Sequence, residues 1–70
     1  MSNSVFKMTK LVGESSDGVE AAVQEALRTS AQHVRGQTWA HITDIRANLG
    51  DGGQIDRWQV TVEVAFEVED

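Results

Sequence analysis

The segment Trp58-Gln59-Val60-Thr61-Val62-Glu63-Val64-Ala65-Phe66-Glu67-Val68 decides the fold of this chain. Trp58, Val60, Val62, Val64, Phe66 and Val68 alternate without exception with Gln59, Thr61, Glu63, Ala65 and Glu67. A strand sends successive side chains to opposite faces, so this pattern predicts a strand over residues 54–68 in a sheet buried on one face. Just upstream, Gly50-Asp51-Gly52-Gly53 is a strong turn signal, which makes the strand the second arm of a hairpin. The first arm is residues 37–49. Ala40 and Ile42 fall on one parity, and Trp39, His41, Thr43 and Ile45 on the other.

Further upstream the period changes. Val19, Val23, Ala26, Leu27, Ser30 and Val34 recur at spacings of three and four, widened by Ala22 and Ala31, which predicts one helix over residues 18–35. Ser16, Asp17 and Gly18 are candidate N-caps, and Asp17 with Glu20 has the spacing of a capping box. Gly36 stands where a left-handed cap would close the helix. Residues 5–13 read as a first strand, with Phe6, Met8 and Val12 on one parity and Val5, Lys7, Thr9 and Leu11 on the other. The order strand, helix, strand, strand predicts an α+β fold in two layers: one helix on one face of a three-stranded antiparallel sheet. The apolar side of the last strand is the only large apolar surface long enough to match the helix. That strand is therefore central, giving the order 1-3-2.

Length and charge narrow the function. Seventy residues make one domain, residues 1–70. Eleven acidic against six basic residues give a net charge of −5, which argues against a nucleic-acid binder and a polybasic membrane element. The absence of cysteine removes disulfides, thiolate metal sites and a cysteine nucleophile. No apolar run approaches the ~18 residues of a membrane span, and Met1-Ser2-Asn3-Ser4 has no signal-peptide pattern, so a cytoplasmic protein is expected. A chain of this size buries only ~60% of its unfolded surface. Disulfides are unavailable, and His33 and His41 have no metal-ligand spacing, so a homo-oligomer is expected.

The helix covers one face only. The other carries Gln59, Thr61, Glu63 and Ala65 and, by parity, Trp39, His41 and Thr43. A tryptophan on the open face of a small domain marks either subunit packing or a stacking platform for a flat aromatic ligand. Gln59 offers such a ligand both a donor and an acceptor. Trp58 falls with the core. His41 reads as an interface or hydrogen-bonding residue, because no catalytic partners accompany it. His33 reads as a helix-end or solvent-facing group. Glu63 and Glu67 read as solvated, or as interface partners of Lys7, Lys10 or Arg57. Nothing in the sequence brings Asp44 and Glu63 together as a catalytic pair. Gly50–Gly53 lacks the lysine and helix of a phosphate loop. Glu69-Asp70 reads as a frayed tail.

These residues also carry a resemblance. Val5-Phe6-Lys7, Leu11-Val12-Gly13-Glu14-Ser15, the alanine-rich helix, Thr38-Trp39-Ala40, Asp44-Ile45-Arg46 and Trp58 to Phe66 occur in one order within the chain. In this the chain resembles the dodecins, small flavin-binding proteins that assemble as hollow dodecamers. The resemblance implies flavins bound in antiparallel pairs at a two-fold axis between subunits, each ring stacked between its partner flavin and Trp39. It implies that Gln59 hydrogen-bonds the pyrimidine-like edge and that Asp44 and Arg46 lie near the flavin side chain. FMN is the ligand implied for a bacterial member, with riboflavin or another flavin as alternatives, and Arg46 as the phosphate or ribityl contact. Parity objects to Arg46, which falls with Ala40 and Ile42; a bulge near residues 44–46, or a strand that has left the sheet, is needed. Glu67 stands where some relatives carry a basic coenzyme A contact, which weighs against coenzyme A. The expected role is flavin storage and sequestration without enzymatic activity. The alternative is a ligand-free oligomerisation module of the same fold.

Overall fold

A computed structural model of the chain describes residues 3–68. Glu69 and Asp70, read above as a frayed tail, lie outside the described residues. The elements are β1 (Phe6–Ser15), α1 (Val19–Ala31), β2 (Gln37–Leu49) and β3 (Ile55–Glu67). They form one antiparallel sheet in the order β1-β3-β2, as the α+β reading required.

The alternating segment does what its pattern dictates. Val60, Val62 and Val64 are fully buried beneath Ala22 and Ala26 of α1. Leu11, Val19, Val23, Leu27 and Trp58 close the sides of this core. Burying each valine contributes on the order of 1.5–3 kcal/mol. Small residues set the helix height. Gly13 lies opposite Val60, and a Cβ there would overlap the Ala22 carbonyl, so only glycine lets the helix descend onto β1.

Three expectations about the helix are corrected. It ends at Ala31, and residues 32–35 form the connection to β2. The Ser30 carbonyl accepts both the His33 and Val34 N–H groups, each at 3.0 Å, and this tightening closes the last turn. Half-buried Val34 keeps the apolar spacing beyond the real end, whereas Ala31 is exposed. Gly36, at φ 82°, turns the chain into β2 instead of capping the helix, and its carbonyl accepts the Glu67 N–H at 3.0 Å. At the other end Gly18 is the N-cap, with no side-chain capping bond. Glu20 is then one position too early for a capping box with Asp17, whose own N–H donates to Ser15 Oγ at 3.0 Å.

The helix packs on β1 and β3. The helix-side row of β2 therefore lies outside its cover, and Ile42 and Ile45 remain 44% and 50% exposed. The chain measures 57 × 20 × 14 Å, with a radius of gyration of 14.6 Å. A compact chain of this length would have about 11 Å.

Candidate functional site

The site is built by irregularities in β2. Its register against β3 runs Ala40↔Val64, His41↔Glu63 and Ile42↔Val62, then resumes as Asp44↔Thr61, Ile45↔Val60 and Arg46↔Gln59. Thr43 is the extra residue, and one extra residue inverts the parity of all that follows. Ile45, expected beside Trp39, instead joins Ala40 and Ile42 on the helix side. Asp44 and Arg46 come to the open face. The objection that parity raised to Arg46 is resolved by the bulge. A similar shift at Thr38 turns Gln37 toward the helix, where its Nε2 donates to the Leu27 carbonyl at 3.4 Å, and sends Trp39 the other way.

The open face then reads as four rows across the sheet: Trp39–Ala65–Met8, His41–Glu63–Lys10, Asp44–Thr61–Val12 and Arg46–Gln59–Glu14. Trp39 is 47% exposed, and its ring lies 6.3 Å from that of Phe6, tilted by 46°. Beneath them Ala65 is fully buried, although it faces away from the helix. Phe6 and Met8 were legible as one side of β1 but not as neighbours of Trp39. Only the β1–β3 register supplies that.

At the other end Arg46 Nε donates to Asp44 Oδ2 at 2.8 Å, and the Arg46 side chain stays 74% exposed. Both side chains are well exposed, so this pair positions more than it stabilises. Half-buried Gln59 lies between Arg46 and Glu14. Arg57 pairs with Glu14 at 3.1 Å, and Glu67 accepts from Ser4 Oγ at 2.9 Å. Among the described residues of one chain, neither Arg57 nor a lysine pairs with Glu63. His41 Nδ1 lies 3.7 Å from Glu63 Oε1.

All four candidate residues, Trp39, Asp44, Arg46 and Gln59, lie on the open face, but the chain does not bring them to one point. Trp39 is level with Ala65, six residues along β3 from Gln59. At strand rise that is ~20 Å. A concavity of about 540 Å³ lies elsewhere, between the start of α1 and the ends of β1 and β3. Its two arginines, Arg28 and Arg57, are engaged by Glu25 and Glu14. Among the described residues no three His, Cys, Asp or Glu side chains group as a metal site, and no helix is long and apolar enough to cross a membrane.

A β-α-β-β unit with one helix-covered face and one open aromatic and polar face defines the class. The sequence profile of the dodecin family matches residues 5–69. The chain is 38% identical to the dodecin of Thermus thermophilus over 66 residues, 94% of each protein. It superposes on the Streptomyces coelicolor dodecin structure with a TM-score of 0.91, at 37% identity, covering 100% of this chain and 99% of that one. The Streptomyces davaonensis dodecin gives a TM-score of 0.91 at 33% identity, covering 99% and 100%. The chain belongs to the dodecin family.

Proposed function

We propose that this protein binds, stores and sequesters a flavin, FMN above all, on the open face of its sheet. The observation that carries the reading is Trp39. A large indole stands half exposed on a face that also presents an amide and a well-exposed guanidinium. These groups fit the ligand's chemistry: a flat ring to stack, an amide-like edge to pair, and a phosphate to neutralise. Bound flavin supplies an excitable, redox-active ring, and enclosing it keeps it from photochemistry in free solution.

The separation of Trp39 from Gln59 makes the site a shared one. A single three-ring system cannot reach both across ~20 Å. A second copy running antiparallel supplies the missing group, Gln59 of one chain meeting the ring stacked on Trp39 of the other. The same association covers Phe6, Met8 and Val12, which are 39%, 48% and 60% exposed in the single chain. Twelve copies are the assembly that the resemblance implies. A ring held between Trp39 and a second flavin leaves no space for a substrate, so the reading is of a binder and not an enzyme.

The test is a titration of FMN fluorescence with purified protein, repeated with riboflavin. Saturable, near-complete quenching at one flavin per chain is expected, with FMN preferred through Arg46. Trp39→Ala should weaken binding by about 2 kcal/mol, roughly thirtyfold. Unchanged fluorescence in the parent would leave the open face as a ligand-free assembly surface.

A further inference from the structure

FMN differs from riboflavin by a phosphate, and a chain of net charge −5 is a poor host for one. An anion is drawn to such a surface only where basic groups collect locally. Of the six basic residues, two stand beside Gln59. Arg46 is paired with Gln59 across β2 and β3, and Arg57 lies two residues before Gln59 on β3, opposite Asn48. Trp58, between them, packs against the core, so Arg57 and Gln59 share the open face. Arg46 and Arg57 are thus diagonal neighbours on adjacent strands. Their Cα separation is ~7–8 Å, within the reach of two arginine side chains.

Each arginine is held in the same way. Arg46 Nε lies 2.8 Å from Asp44 Oδ2, and Arg57 Nε lies 3.1 Å from Glu14 Oε2. The Arg57 side chain is still 45% exposed. A guanidinium is a planar fork of N–H donors, so one that holds a carboxylate at Nε can still bond a second anion through its terminal nitrogens. Each carboxylate offsets the charge of its own arginine, which weakens what one arginine alone offers a phosphate. Two forks on one phosphate recover it through directed, charge-assisted hydrogen bonds.

We infer that Arg57 is a second phosphate contact of the flavin site and, with Arg46, sets the preference for FMN over riboflavin. This rests on the flavin reading above. It draws Gln59, Arg46 and Arg57 from one chain, so the two guanidiniums stand beside the amide whichever copy supplies the stacked ring. Glu14 restrains Arg57 as Asp44 restrains Arg46: it holds the guanidinium and moderates its pull on an anion.

The test is the ratio of FMN to riboflavin affinity. Fluorescence quenching of each flavin reads it at about pH 8, where a phosphate monoester is close to a dianion. The proteins are the assembled parent, Arg57→Gln and Glu14→Gln, each with its mass checked by light scattering. Arg57→Gln should lower the ratio about fivefold, and Glu14→Gln, which removes the competing carboxylate, should raise it about twofold. A role confined to the sheet would change both affinities alike and leave the ratio where it was. An unchanged ratio in Arg57→Gln, or a parent with no preference for FMN, therefore overturns the role of Arg57 and leaves the flavin reading intact. Where Arg57→Gln does not assemble, Glu14→Gln decides, and a ratio at or below the parent's overturns the inference. A parent that quenches neither flavin overturns both.

Discussion

β2 and β3 carry apolar rows to the same side of one sheet, yet the rows end in different surroundings. Val60, Val62 and Val64 are fully buried, while Ile42 and Ile45, which pair with Val62 and Val60, stay 44% and 50% exposed. The difference is not hydrophobicity, since isoleucine is the larger apolar group. It is reach: α1 packs on β1 and β3 and touches β2 at Gln37, short of the isoleucines. One half of the surface holds the chain together. The other half, with the open face behind it, is left for other molecules to cover.

The sharpest way to break this contrast is to lift the helix. Gly13→Ala drives a Cβ into the Ala22 carbonyl and should cost about 3 kcal/mol, as cores that cannot shift do when overfilled. Urea denaturation at fixed protein concentration measures it. Val62→Ala leaves the helix seated but opens a hole beneath it, at a cost of about 2 kcal/mol by the same measurement. The smallest effect belongs to the open face. Gln59→Leu keeps the volume, removes the amide and should leave the denaturation midpoint nearly unchanged. It should weaken FMN binding by about 1 kcal/mol, the net worth of a hydrogen bond in water. A large loss of stability in Gln59→Leu would mean that the open face also holds the fold.

Much of the fold was legible because a single segment stated it. Strict alternation in β3 gave the central strand, and Gly50–Gly53 gave the hairpin, whose backbone closes by the Gly50 N–H donating to the Gln54 carbonyl at 2.8 Å. Trp39 and Gln59 could be assigned to one face from parity alone. What stayed hidden depends on a partner strand. A bulge is a property of two strands, and nothing in residues 42–46 alone says that Thr43 is the one skipped. For that reason parity alone places Ile45 on the wrong face and sets Arg46 on the helix side. The helix end was misjudged for a simpler cause: Val34 continues the apolar rhythm although its backbone has already left the helix. The distance between Trp39 and Gln59 along the face was also outside what parity reports, since it gives side and not position.

The register shifts of β2 also bear on aggregation. β2 is a thirteen-residue strand at the edge of the sheet, and a regular edge of that length is a template on which foreign strands can add without limit. Its pairing is interrupted between Gln37 and Trp39, between Ile42 and Asp44, and between Asn48 and Leu49. The first two place an extra residue, Thr38 and Thr43, in β2 itself, which bends the strand and breaks the even spacing of its outward N–H and C=O groups, so no long run of matched bonds is on offer. Addition of further strands along this edge is thereby disfavoured.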